Sequence, residues 1–195
     1  MNLKEHLYQL PRHSRLYHVY HCDHVLGSFN DSGQGDRRFD PIKDASGQFI
    51  PSFYAAEHYI DAIAETLMRK DSQDKRIFKV DLNKQGLLQI DTSKRMTLID
   101  VSSISYFDTL LNTDEAAYGR LQLFAATVAA QSNKYHGLTW FGRQRAIKGH
   151  RCMMFFGDRL TSQNFIKRVN EPLISNTAMQ KLKDAAVALD CGLFA

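Results

Sequence analysis

Three residue types within one stretch of this chain could together handle a nucleotide-like ligand. Arg38 lies in RRFDP, Tyr54 in FIPSFYAAEH and Glu65 in the segment YIDAIAETLM. An arginine fork grips phosphate in bidentate geometry, a tyrosine ring stacks on a flat base, and a fixed carboxylate stabilises positive charge developing on a sugar. Each also has an ordinary reading. Glu65 falls off the apolar stripe of its segment, so it could be a surface residue pairing with Arg69 one helical turn on. Tyr54 alternates with Phe53 along an extended segment, so one ring faces a core and the other stacks a ligand or lies half-buried. Arg37 and Arg38 follow a glycine-rich loop whose amides could approach an anion, or they close a solvated turn.

Two further clusters draw attention. His13, His18, His21, Cys22 and His24 gather ligand-type side chains near the N-terminus. On a strand His18 and His21 point to opposite faces, and no pair has helical ligand spacing, so no metal is expected there. The loop from Arg143 to Arg151 contains Arg143, Arg145, Lys148, His150 and Arg151. It reads as a solvated hairpin, with a phosphate-facing loop as the alternative.

The elements that must position these residues alternate between short strands and a few helices. Residues 1–14 read as a polar lead-in or short helix. Leu16–His21 (LYHVYH) has strand composition, and Gly27–Gly47 has that of a loop. Ile50–Ala55 is a short strand, and His58–Arg69 a helix with Ile60, Ile63, Ala64 and Leu67 on one stripe. Ile77–Leu82, Leu87–Ile90 and Met96–Asp100 are strand candidates. Asp114–Tyr135 is the longest helix candidate, capped by Asn112, Thr113 or Asp114. Gly137–Phe141 and Cys152–Phe156 flank the basic loop as apolar strands, and Thr177–Leu189 is a helix with Met179, Leu182, Ala186 and Leu189 inward. This is an α+β pattern.

The chain of 195 residues is 44% hydrophobic and 24% charged. It reads as one soluble globular domain. The net charge of +4 and pI near 8.9 suit an anionic ligand or acidic partner. No long basic run is present, so direct nucleic-acid binding is not expected. Cys22, Cys152 and Cys191 show no CxxC spacing and are expected to be buried free thiols in a reducing compartment. The start MNLKEHLYQL is charged too early for a secretory segment. No apolar run reaches the length of a membrane-spanning helix, so a cytoplasmic protein that does not span a membrane is expected.

In order and spacing these pieces resemble the RES-domain family, whose fold is like that of the ADP-ribosyltransferases. LYHVYH looks like its opening strand, RRFDP like its RF motif, and SFYAAEHYIDAIAETLM like the strand and helix carrying its tyrosine and glutamate. HGLTWFGRQRAIKGHRCMMFFGDRL looks like its closing segment. The resemblance implies a single RES-like domain over 1–195, with a core of about 15–160 and a C-terminal extension of 161–195. It implies short strands in two packed sheets with flanking helices. It implies NAD as substrate, a toxin that breaks the nicotinamide–ribose bond, and a cognate antitoxin or immunity protein as partner. The acceptor of ADP-ribose (water, phosphate or protein) stays open. The toxin would act in its own cytoplasm or in that of a target cell.

Carried over by position, Glu65 corresponds to the catalytic glutamate, Tyr54 to the ring-stacking tyrosine and Arg38 to the RF-motif arginine. Two positions depart. His18 stands where the family usually has arginine, and Gly142, ahead of Arg143, stands where it usually has serine. His18 with Tyr54 and Glu65 is similar to the histidine–tyrosine–glutamate set of diphtheria-like ADP-ribosyltransferases. The departures leave a second reading, a catalytically impaired NAD-binding or protein-interaction module on the same fold.

Overall fold

The computed structural model describes residues 2–24, 26–35, 37–67, 76–77, 82–111, 118–142, 149–189 and 192–193. Among them the strands are β1 (Leu7–Leu10), β2 (Arg15–His21), β3 (Ile42–Lys43), β4 (Phe49–Ile50), β5 (Ser52–Ala56), β6 (Arg76–Ile77), β7 (Gln85–Thr92), β8 (Met96–Asp100), β9 (Gly137–Phe141), β10 (Arg151–Phe156), β11 (Phe165–Pro172) and β12 (Gly192–Leu193). The helices are α1 (Tyr59–Leu67), α2 (Ser105–Leu111), α3 (Tyr118–Gln131) and α4 (Asn176–Ala188). The α+β class read from the sequence is the class observed.

Eight strands form one sheet in the order β1-β8-β9-β10-β5-β2-β7-β11, and β3–β4 and β6–β12 form two small ribbons. Neighbours in the large sheet are antiparallel except β8 and β9, whose connection through α2 and α3 allows a parallel pair. Side chains alternate across the sheet, so its two faces bury different sets. One face, with Val19, Ala56, Leu138, Trp140 and Met154, lies under α1, α3 and α4. The other, with Leu10, Leu16, Phe53, Leu88, Leu98, Met153 and Phe155, receives no helix residue among the described residues. These side chains are nonetheless buried, several of them completely. The sheet therefore curls over its own second face, as its right-handed twist favours.

The helices follow their apolar stripes. In α3, Leu121, Phe124, Ala125, Val128 and Ala129 are buried, as their spacing predicts. Ser175 caps α4 by accepting from the Ala178 N–H, and α4 buries Ala178, Leu182, Ala185 and Ala186. Leu182 is fully buried in the cluster that also holds Ile60 and Ile63 of α1. Burying a leucine in this way stabilises the fold by roughly 2–3 kcal/mol.

Several expectations need correction. The lead-in carries a short 3-10 turn at Leu3–Glu5, then the edge strand β1, paired with β8. Its single buried anchor, Leu10, is too little periodicity to reveal a strand. The stretch Gly27–Gly47 is loop apart from β3. The candidate strand Ile77–Leu82 shows strand only at its start, its middle lying outside the described residues, and the main strand after it, β7, is longer than Leu87–Ile90. The caps Asn112, Thr113 and Asp114 and the thiol of Cys191 also lie outside the described residues. Cys152 is buried, but Cys22 is exposed, because the chain turns away from the sheet just after β2.

Candidate functional site

The sheet is weakest where β2 meets β5. These strands share a single paired position, Tyr17 with Ala56, and then diverge. The far end of β5 pairs instead with Asn30, which exchanges two backbone hydrogen bonds with Ser52. A pocket opens at this split. Its lining includes His18 of β2, Tyr54 of β5, Arg37 and Arg38 of the preceding loop, Glu65 of α1 and Trp140 of β9. Arg38, Tyr54 and Glu65 thus share one pocket, and His18 borders it.

Tyr54 holds together the turn that carries the arginines. Its hydroxyl donates to Asp40 Oδ1 at 3.1 Å and accepts from the Phe39 N–H at 3.3 Å. Ser52 Oγ donates to Asp40 Oδ2 at 2.9 Å, and Gln122 Nε2 donates to the backbone carbonyls of Arg37 and Asp40. Burial, with Asp40 second, pushes the Tyr54 phenol well above its usual pKa, so it stays a donor. Phe53 goes to the opposite face, where it is core, as the alternation of the two rings requires.

The turn delivers Arg38 into the interior, 5% exposed, with its Nη2 3.6 Å from Glu65 Oε2. Its guanidinium lies 5.8 Å from the Trp140 ring, and its Nε and Nη1 have no hydrogen-bond partner among the described residues. A buried guanidinium with unused donors is costly, and an anionic ligand is one way to satisfy it. Arg37 lies over the Tyr54 ring, 5.0 Å from its centroid. Glu65 faces the pocket with its side chain 20% exposed. Its wheel position off the apolar stripe points it into the cleft rather than into bulk solvent.

His18 bridges the split. Its Nδ1 lies 2.6 Å from the Tyr54 backbone carbonyl, an acceptor, which assigns the ring proton to Nδ1. Burial, and then the nearby Arg37 charge, lowers its pKa to about 3, so the imidazole is neutral at physiological pH. The ring also packs 4.5 Å from Phe53. Gly142 follows β9. A Cβ there would come 3.2 Å from Cys152 Sγ, 3.3 Å from Asp61 Oδ1 and 3.7 Å from Glu65 Oε1. The glycine is thus explained by space beside the two carboxylates, not by its backbone angles. Arg143 lies outside the described residues.

Sequence reasoning passed over Asp40, Trp140 and Asp61. Asp61 sits in the first turn of α1 yet is 2% exposed. Burial, with Glu65 second, raises its pKa to about 7. A signal existed, since Asp61 and Glu65 are one turn apart and share a helix face. Arg151, counted with the basic loop, belongs to β10. It pairs with Asp100 at 2.9 Å and lies over the Tyr8 and Phe141 rings, so it is structural. Of the N-terminal histidines, His18 turns to Tyr54, while His21 lies 3.4 Å from Asp23 and its ring 5.6 Å from that of His24. Among the described residues no helix is long and apolar enough to cross a membrane.

None of the curated proteins matches the sequence. Among solved structures, a chain of the Mycobacterium tuberculosis MbcT–MbcA toxin–antitoxin complex has a similar fold. The TM-score is 0.64 at 12% identity, over 93% of this chain and 94% of that one. The RES domain model matches residues 15–171, from the first residue of β2 into β11, and so takes in the split strands, the arginine turn, α1 and the β9–β10 pair. With most of its length covered by that match, the chain belongs to the RES-domain family.

Proposed function

We propose that this protein is a toxin that consumes NAD by breaking the bond between nicotinamide and ribose. The observation that carries this reading is the convergence of Glu65, Arg38 and Tyr54 on one cleft, with the Glu65 carboxylate and Arg38 guanidinium 3.6 Å apart. In a dissociative cleavage the C–N bond pair leaves with nicotinamide, which departs as a neutral ring, and positive charge builds on the ribose. Glu65 would stabilise that charge, and a carboxylate already placed needs little reorganisation to do so. Tyr54 would hold the ring, while Arg38 and Arg37 would take the phosphates. His18 would offer its unprotonated Nε2 to a ribose hydroxyl, and Gly142 leaves room for the acceptor beside Glu65. The acceptor is water, phosphate or a protein side chain.

A partner that silences the toxin follows from this reading. The fold match to a toxin–antitoxin complex supports a cognate antitoxin or immunity protein. The proposed substrate, NAD, would be met in a cytoplasm, the cell's own or that of a target. A second reading, NAD binding without turnover, is favoured by His18. It is neutral and committed to a backbone carbonyl, which makes it a poorer phosphate clamp than an arginine.

The test is to incubate purified protein with NAD and identify products by mass. Free ADP-ribose, ADP-ribose phosphate and a modified protein mark the three acceptors. Glu65→Gln should lower turnover by at least ~100-fold, since it removes the charge that answers the developing cation. The amide is isosteric but leaves the buried Arg38 guanidinium without this counter-charge 3.6 Å away, so stability should also fall, by about 3 kcal/mol, and turnover is compared at a temperature where both proteins are folded. Binding by calorimetry with no product would favour the second reading, and neither depletion nor labelling nor binding would sink both.

A further inference from the structure

Beside the NAD-type pocket lies a second cluster with a different chemistry. His58 immediately precedes α1, Asp61 sits in its first turn, and His150 leads into β10. One ligand-type atom from each lies within 4.8 Å of the others. The two imidazoles are parallel, 4° between planes, with centroids 4.9 Å apart. We propose that His58, Asp61 and His150 form a binding site for one divalent transition-metal ion, with zinc the ion their donors suit best.

The argument rests on polar atoms with no other use. Asp61 is 2% exposed, and its Oδ2 has no hydrogen-bond partner among the described residues. His150 Nδ1 is buried and equally without one. The two atoms face each other at 4.0 Å, too long for a hydrogen bond. A buried carboxylate oxygen left this way is costly. Metal bonds of about 2.0–2.1 Å in tetrahedral geometry set ligand atoms about 3.3 Å apart, so closing the site draws each side chain in by about 1 Å and rotates the two parallel imidazoles until their in-plane lone pairs meet at the ion. The Ile60 N–H donates to His58 Nδ1 at 3.3 Å, a long bond that the ring gives up when it carries its proton on one nitrogen and offers the other to the ion, and the ring packs 4.4 Å from that of Tyr59.

The donor set selects the ion. Two imidazoles and one carboxylate suit zinc and its first-row neighbours, whereas magnesium and calcium need a cage of oxygens. The two further carboxylates near Asp61 are both engaged: Glu65 faces the Arg38 guanidinium at 3.6 Å, and Glu57 accepts from the Tyr8 hydroxyl at 2.8 Å and from the Arg151 N–H at 3.0 Å. The fourth position is therefore left to water. An ion here ties the first turn of α1 to the start of β10. Asp61 also borders Gly142 and, through the helix, sets the position of Glu65. The metal thus acts as a positioning device for the pocket, and its presence does not depend on the NAD reading.

The test uses the full chain, stripped with chelator and titrated with Zn2+ by calorimetry, with Co2+ as a spectroscopic stand-in. One equivalent of Zn2+ should bind, millimolar Mg2+ should not compete, and the melting temperature should rise on loading. His58→Ala and His150→Ala should each weaken Zn2+ binding at least about tenfold, while His21→Ala in the N-terminal cluster leaves it unchanged. Co2+ added to the unaltered protein should give the visible bands of a four- or five-coordinate nitrogen–oxygen site. This readout stands even if a variant fails to fold. No saturable Zn2+ uptake, uptake that survives both histidine variants, or a Co2+ spectrum like that of the hydrated ion would overturn the proposal.

Discussion

Replacing Tyr54 by phenylalanine separates two jobs of one side chain, because the ring stays and only the hydroxyl goes. The hydroxyl donates to Asp40, which is 3% exposed, and accepts from the Phe39 N–H. A hydrogen bond to a charged group contributes about 1.5–3 kcal/mol, and an orphaned buried N–H costs about 1 kcal/mol or more. Ser52 continues to serve the other Asp40 oxygen, which softens the loss. The expected destabilisation is about 2–4 kcal/mol. For a chain of this size that is a drop of roughly 6–12 °C in melting temperature. Urea unfolding followed by circular dichroism measures it. If NAD is the substrate, KM should rise more than kcat falls, because the loosened turn carries Arg37 and Arg38 while the stacking ring remains. A variant within about 0.5 kcal/mol of the parent, the range of an inert surface substitution, would refute the claim that this phenol holds the arginine turn. A large fall in kcat with KM unchanged would refute the division of labour between hydroxyl and ring.

Three other outcomes follow from the same geometry. His18 has a native pKa of about 3 against an unfolded value of 6.5, so the unfolded chain binds the extra proton. Stability present above pH 6.5 is therefore lost as pH falls from 6.5 towards 3, by at most about 3 kcal/mol at pH 4 and less because the ring keeps some solvent contact. Denaturation at several pH values checks this, and His18→Phe should flatten that part of the profile; an unchanged slope would contradict the assignment. Gly142→Ala places a methyl against Cys152 Sγ and Asp61 Oδ1. Such crowding should cost about 2 kcal/mol, and a neutral result in thermal unfolding would show that the site has slack. Arg151→Ala removes the Asp100 pair and two ring contacts. That loss should cost roughly 2–3 kcal/mol in the same melts. If the variant melts like the parent, Arg151 is no strut between β10 and β8.

How much of this was legible depended on where each element sits. β2, β5, β8, β9, β10, α1, α3 and α4 bury enough of one face, or both, for composition and periodicity to mark them. β11 was not legible: only Phe165 of its residues is buried, so as a polar edge strand it looks like loop. The same holds for β1. α2 was missed because SYFDTLL is too short to show a helical period against its strand-like neighbours.

Composition and periodicity are enough for the α+β class, the main strands and helices, and the three residue types on which the pocket is built. They do not decide which way those residues point. The helical wheel alone makes Glu65 a surface carboxylate, because it records angles around one axis and knows nothing of what stands opposite; the family resemblance is what assigns Glu65 to the site. Only the tertiary structure put Arg38 there, by burying a guanidinium through a turn held by Tyr54, Asp40 and Gln122. Only the divergence of β2 from β5 opened a cleft between residues far apart in the chain. The same non-local packing made Asp61, which the sequence reading passed over, a buried carboxylate facing His150. Burial and charge pairing are properties of the assembled neighbourhood, and a linear chain does not contain them until it folds.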